Sequence, residues 1–361
     1  MAEREHDDIE LDEHELRDSG PAALPSALSQ EWPVEWQPVW GDKRGPWRTF
    51  LSRTTEALIF VAVRLPEPLL KPVFAMLAGL LVRALPERAR VARDFVRQAA
   101  PTLGRPTTDR DVERLVRGSW RHFLHVGVES ERFLRRVPER DVLSHFDVEW
   151  CPGAREVRDA GVGCVIVTAH VGNWEVAPAL APWLGFDPFY AVAKPIRNRP
   201  FSKKVQRVRE RLGVRLLPRK GAMRDAMRVL SSGGSIGMLL DQRARKKPVL
   251  APFFGRLARC DRSAGVLMKR LGAPVLLVAC YRTERPLHFR AKFFECLDPA
   301  EFARQGPEQI AGRINAVFER MVREAPDQYF WLHDRYKDTP REPEDAAASS
   351  RLSQGPPSVV E

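Results

Sequence analysis

The stretch that decides the fold is CVIVTAHVGNWE, Cys164–Glu175. Its first five residues, CVIVT, are apolar or β-branched throughout, which predicts a strand buried on both faces. A histidine follows the run, Gly172 permits a tight turn, and Asn173 stands where an N-cap would open a helix. The same texture recurs downstream. Phe189–Ala193 predicts a second strand, followed by a basic helix over about Phe201–Leu212. Ser235–Leu240 predicts a third, after a helix Met223–Leu230 and the turn SSGG at Ser231–Gly234. Pro274–Tyr281 and Leu287–Phe294 read as two more strands, compatible with antiparallel pairing. A last helix spans about Glu308–Arg323, with Ile310, Ile314, Val317, Phe318, Met321 and Val322 on one face. Alternating strands and helices predict an α/β fold with a mostly parallel central sheet flanked by helices.

Upstream of residue 148 the signals are helical. Val112, Leu115, Val116, Phe123 and Leu124 fall at helical spacing, and the helical texture runs from about Pro46 to Arg136. The longest apolar run, Val73–Val82, has ten residues between Lys71 and Arg83. A spanning helix needs about 20, so this run cannot cross a bilayer alone. With Ala57–Val63, beyond Pro66 and Pro68, it fits either two buried helices or a helical hairpin dipping into one leaflet. Met1–Ser19 is acidic and polar, unlike a secretory signal. The expected organisation is an acidic disordered tail over 1–45, a helical membrane-associating region over 46–147, an α/β core over 148–340 and a second disordered tail over 341–361.

The 361 residues carry 58 Lys+Arg against 47 Asp+Glu, a net charge of +11. A wholly disordered chain, a collagen and a small disulfide scaffold are excluded. The charge is uneven. Residues 1–30 hold nine acidic and two basic residues, whereas Lys194–Arg228 holds thirteen basic and two acidic. Arg243–Lys247 (RARKK) adds four more positive charges. Such a surface attracts phosphate, whether on nucleic acid, anionic lipid or an acidic carrier protein, and charge alone does not choose. The five cysteines form no CxxC, so they read as reduced small hydrophobes.

The predicted strands stop near His170, Lys194 and Asp241. Sites in open α/β sheets form at the carboxyl ends of strands, so parallel neighbours would bring these three residues to one crevice. His170 and Glu175 are five residues apart. They would not share a helix face, but across a strand-to-helix turn the carboxylate can accept the imidazole N–H and leave the other nitrogen as a base. There is no G-x-S-x-G, no HExxH and no phosphate-binding glycine loop, which leaves a histidine–carboxylate pair acting directly on a substrate hydroxyl.

The blocks AHVGNWE (Ala169–Glu175), VAKPIRNRP (Val192–Pro200), LLDQ (Leu239–Gln242) with PFFG (Pro252–Gly255), LGAPVLLV (Leu271–Val278) and PDQYFWLHDRYK (Pro326–Lys337) stand in the order and near the spacing of one family. From about Phe50 to Pro340 the chain resembles the lipid A late acyltransferases (lauroyl/myristoyl transferases), within the lysophospholipid-type acyltransferases. The resemblance implies a glycerol-3-phosphate acyltransferase-like fold with an N-terminal helical membrane-docking region. It implies transfer of a fatty acyl group from acyl carrier protein to a hydroxyl of a lipid-linked sugar. His170 would be the general base and Glu175 its orienting partner; the family's other two functional residues map to Arg209 and Asp241. Helix geometry turns Arg209 away from the arc of Lys203, Lys204, Arg207 and Arg211, toward the protein. Its alternatives are a phosphate contact or a salt bridge, for which Asp241 is the candidate partner. Asp241 is expected to position a basic side chain. Lys194, where the family usually has arginine, and Asn198 would contact substrate, with a turn-shaping role the alternative for Asn198. Trp331, His333 and Tyr336 are expected to pack beneath the site.

The resemblance implies no cofactor, with acyl–acyl carrier protein as co-substrate. Its partners would be acyl carrier protein, an anionic glycolipid acceptor and a membrane surface, not nucleic acid. Its expected location is the cytoplasmic face of the cell inner membrane, peripheral or monotopic. The alternatives are another glycolipid or lysophospholipid acceptor, or a basic binding protein without chemistry.

Overall fold

Prolines set the helix starts in the first hundred residues. In the computed structural model, which describes residues 45–104, 108–193, 198–212, 214–218 and 221–339, α1 (Pro46–Arg64), α2 (Glu67–Ala84) and α3 (Pro86–Leu103) each carry proline in the first turn. A missing N–H costs nothing there. The long α4 (Asp109–Arg136) is capped by Thr108, whose side chain accepts the Asp111 N–H. Asp109 and Asp111 in its first turn and Arg135 and Arg136 in its last suit the helix dipole.

After α4 the chain builds α/β units: β1 (Phe146–Glu149), α5 (Pro152–Ala160), β2 (Val165–Thr168), α6 (Ala177–Leu180), β3 (Phe189–Ala193), α7 (Arg199–Arg211), β4 (Arg215–Pro218), α8 (Ala222–Ser231) and β5 (Ser235–Leu239). A hairpin of β6 (Val249–Phe253) and β7 (Arg256–Cys260) follows. Then come α9 (Ser263–Leu271), β8 (Val275–Arg282), β9 (Phe289–Leu297) and α10 (Pro307–Glu324). The described strands form a seven-stranded sheet of order β1-β9-β8-β2-β5-β3-β4 and the separate β6–β7 pair. From β8 to β4 all neighbours are parallel, whereas β9 runs antiparallel to β8 and β1 runs parallel to β9. The sheet is thus mostly parallel, as the strand–helix alternation predicts, with β8–β9 antiparallel.

Alternate strand residues enter opposite cores. Val165 and Val167 face one packed by α3, α4, α8, α9 and α10, while Cys164 and Ile166 face another packed by α5 and α6. Phe95, Val112 and Val116 of the leading helices share the first core with Val165, Ile236 and Val275 of the sheet. All six residues assigned to the inner face of the final helix are buried.

Four strands were not anticipated. β1 and β4 are four-residue edge strands, too short for a periodic signal. β6 and β7 turn at Phe254–Gly255, both at positive φ, where sequence reasoning saw only the block PFFG. The helix expected at Asn173 is also shorter than the pattern suggests. Asn173 Oδ1 accepts the Val176 N–H, but the regular helix is only Ala177–Leu180, so Glu175 lies in the capped turn before it.

Candidate active site

β2 and β5 are paired so that Thr168 stands opposite Leu239. Two residues beyond each partner the chain presents His170 and Asp241, so the register itself sets them side by side. Asp241 takes two hydrogen bonds from His170: the backbone N–H to Oδ2 (3.0 Å) and imidazole Nδ1–H to Oδ1 (2.6 Å). With Nδ1 as donor, Nε2 carries the lone pair. The Gln242 side-chain amide donates to that nitrogen at 3.3 Å. Asp241 is only 3% exposed. Burial works to raise its pKa, yet the charge and hydrogen bonds of His170, with Arg335 nearby, hold it below the ordinary carboxylate range. The Tyr329 hydroxyl also bonds this carboxylate.

These bonds correct one expectation. The partner that orients the imidazole is Asp241 and not Glu175, because cross-strand register brings a residue 71 positions away closer than one five positions away. Glu175 is instead held by Arg209, whose Nε and Nη2 donate to its two oxygens at 2.8 and 2.6 Å. The predicted inward direction of Arg209 is correct, but its salt bridge is with Glu175 rather than Asp241. Burial would raise the Glu175 pKa, but the Arg209 guanidinium outweighs it and the carboxyl stays ionised; the Trp174 indole N–H adds a further bond. The site therefore holds two pairs, His170–Asp241 and Arg209–Glu175, where sequence spacing suggests a different pairing of the same four residues.

The turn between them is rigid. Gly172 sits at φ +62°, and a Cβ there would stand 1.9 Å from the Cys280 carbonyl oxygen, so only glycine fits. The Asn173 N–H donates to that carbonyl at 2.7 Å, the Gly172 N–H to Gln328 O at 3.0 Å, and the Phe330 N–H to His170 O at 3.0 Å. α4 braces the same turn from outside. His122 Nε2–H donates to Gly172 O (2.9 Å), and Asn173 Nδ2 donates to Glu129 Oε2 (2.8 Å), which also receives Arg282 Nε (2.8 Å). Sequence reasoning missed Gln242, Tyr329, Glu129, Arg282 and His122. The first two lie within motif blocks already quoted; the other three have no local signal, because their partners are 44 or more residues away.

Asn198 caps α7, accepting the Phe201 N–H at 3.4 Å, and donates to the Arg48 carbonyl at 3.2 Å, which matches its turn-shaping alternative. Lys194 lies outside the described residues. Trp331 and Tyr336 are buried, with the Tyr336 hydroxyl donating to Phe253 O, and His333 Nε2 accepts the Arg243 N–H.

The Trp174 ring packs 5.2 Å from the His170 ring and also lines an apolar cavity on the α5–α6 side of the sheet. Leu180, Phe186, Phe189, Val278 and Phe293 form its walls. The partly buried imidazole and the apolar cavity thus share one side chain. A base beside an apolar slot can activate a hydroxyl toward a substrate with a long hydrocarbon arm.

The family model of the bacterial lipid A biosynthesis acyltransferases matches residues 47–338. A phosphatidylinositol mannoside acyltransferase of Mycolicibacterium smegmatis is 26% identical over 228 residues, 60% of this chain and 70% of that protein. A lipid A biosynthesis palmitoleoyltransferase of Escherichia coli is 25% identical over 206 residues, 56% of this chain and 65% of that protein. A phosphatidylinositol mannoside acyltransferase of Mycobacterium tuberculosis is 26% identical over 170 residues, covering half of its length.

Proposed function

The chain belongs to the bacterial lipid A biosynthesis acyltransferase family, and from that premise we propose that it moves a fatty acyl chain from a thioester donor to a hydroxyl of an anionic glycolipid. The observation that carries the reading is the imidazole of His170, anchored at Nδ1 by Asp241 and packed against Trp174, which lines the apolar cavity. In this reading Nε2 takes the acceptor hydroxyl's proton as its oxygen attacks the thioester carbon. The tetrahedral intermediate then collapses, the C–S bond breaks, and the imidazolium returns the proton to the leaving thiolate. The acyl chain occupies the cavity, Asp241 fixes the tautomer, and the Arg209–Glu175 pair holds the chain just after the His170 turn.

Acyl carrier protein is the donor we infer, and the exposed Arg207 and Arg211 of α7 suit an acidic carrier or a phosphate-bearing acceptor. No cofactor enters this scheme. Relatives are named for two acceptor classes, lipid A and phosphatidylinositol mannoside; we infer a lipid A precursor, with the mannoside as the second reading.

The acceptor is an amphiphile, so the site must meet a lipid surface. Among the described residues no single helix is long and apolar enough to cross a membrane, and the pair Glu67–Ala84 and Pro86–Leu103 bends by 102°. α2 is nevertheless apolar on both sides. Leu70, Phe74, Ala78 and Val82 are buried, while Leu69, Val73, Met76 and Leu80 are exposed, as are Leu58, Phe60 and Val61 of α1. We assign this face to the interfacial region of the inner membrane, on its cytoplasmic side.

The test is transfer by the purified full chain. Lauroyl–acyl carrier protein and lauroyl-CoA serve as donors, and a lipid A precursor, a phosphatidylinositol mannoside and a lysophospholipid as acceptors, with products read by mass spectrometry. An acylated lipid A precursor is expected. Acylation of the mannoside alone would transfer the assignment to the second reading, and no ester product with any pair would overturn the function.

A further inference from the structure

The proposed reaction places a negative charge on the thioester oxygen, which needs a hydrogen-bond donor. Asp241 is an acceptor, and Arg209 directs Nε and Nη2 to Glu175 rather than to His170. A donor is needed close to Nε2, because the attacked carbon lies one bond beyond the oxygen that Nε2 deprotonates. We propose that the side-chain amide of Gln242 is that donor, a catalytic residue that hydrogen-bonds the developing oxyanion.

Three features support the assignment, which rests on the function proposed above. First, the amide nitrogen lies 3.3 Å from His170 Nε2, a long bond that an arriving hydroxyl displaces, freeing the N–H group at the reacting centre. Second, the backbone on either side is fixed. Buried Arg335 donates to Gln242 O at 2.9 Å, His333 accepts the Arg243 N–H at 3.0 Å, and Asp241 is locked to His170, so the side chain starts from a preorganised root. Third, the amide is neutral. It donates without shifting the charge on the neighbouring imidazole, as a lysine or arginine there would do. No atom is transferred to or from Gln242. It holds the oxygen while the C–O bond forms and until the C–S bond breaks.

The test compares wild type with Gln242→Ala, Gln242→Met, which keeps the volume without the N–H, and Gln242→Glu. Each is assayed for lauroyl transfer from acyl carrier protein to the acceptor that wild type uses, and for acceptor-free hydrolysis of the same thioester. Unchanged thermal midpoints confirm folding. Transfer and hydrolysis should both fall by about 10²-fold in kcat for Ala and Met, with the acceptor KM and the pH midpoint of kcat unmoved. The Glu variant should lose at least as much and show a raised pH midpoint from its charge. A fall in transfer with hydrolysis intact would make Gln242 an acceptor-positioning residue and overturn the proposal. So would a moved pH midpoint in the Ala and Met variants, or kcat within threefold of wild type. If wild type itself transfers nothing, the functional reading fails and takes this one with it, which separates the two failures.

Discussion

Two carboxylates flank His170, and only one touches it. Asp241 accepts two N–H groups from the same residue, and an asparagine offers a single oxygen for them while turning an amine toward the other. Asp241→Asn should therefore lower kcat by about 10³-fold with little change in KM, through the wrong tautomer. Steady-state kinetics of the purified variant checks this. His170→Ala should lower transfer by about 10²-fold or more while circular dichroism and the melting midpoint stay near wild type, since the imidazole keeps a solvent-facing edge. Gly172→Ala should act differently. Its Cβ meets the Cys280 carbonyl and its φ is left-handed, so folding should weaken by about 2 kcal/mol or more, read as a fall in denaturation midpoint. At this scale the four ionisable residues that the sequence singles out do pair with one another in the structure. Sequence reasoning paired them wrongly because a five-residue spacing is visible along the chain, whereas the β2–β5 register is not.

At the scale of elements, α4 is the beam on which the site rests. On one side it braces the Gly172–Asn173 turn through His122 and Glu129. On the other, Arg132 donates to the carbonyls of Ala62, Val63 and Leu65, and at 2.7 Å to Glu67, closing the open end of α1 onto the start of α2. Glu129→Ala would strand the Asn173 and Arg282 donors. It should cost about 2 kcal/mol or more in stability and lower kcat by loosening the turn, which urea titration and kinetics would show together. Retained activity in a destabilised variant would mean that the brace holds the fold but not the turn. α1 and α2 were legible as two apolar runs split by prolines, because helix breakers and hydrophobic runs are local. Their link to α4 was not, because Arg132 has no local mark as a cap for a helix 68 residues earlier. Replacing Leu58, Phe60 and Met76 by serine should cut binding to anionic phospholipid vesicles at least about tenfold with the melting midpoint unchanged, since all three are exposed. Vesicle sedimentation decides, and undiminished binding would remove the two helices from the membrane.

The whole molecule couples these elements through buried groups that must not change charge. Burial, helped by the Arg282 charge, pushes His122 and His125 down to about 3. In the unfolded chain both return to the ordinary value near 6.5. Between those limits the unfolded state binds protons that the native state refuses, so stability rises with pH across the window and falls as the solution is acidified. Each histidine contributes a slope of about 1.4 kcal/mol per pH unit below pH 6.5. Asp241 and Glu175, both held below their ordinary range by their partners, act in the same direction at lower pH. Their stabilisation is present above the unfolded carboxylate values and is lost as pH falls through the native ones. The melting midpoint should therefore be flat above about pH 7 and drop steeply from pH 6.5 to pH 4. His122→Gln can still donate an N–H to the Gly172 carbonyl but has no proton to gain, so its decline should be shallower while its midpoint at pH 7.5 is equal to or slightly below wild type. Parallel pH–melting curves for the two proteins would mean that the His122 ring opens to water before the chain unfolds, and the tight bracing of the turn by α4 would have to be abandoned.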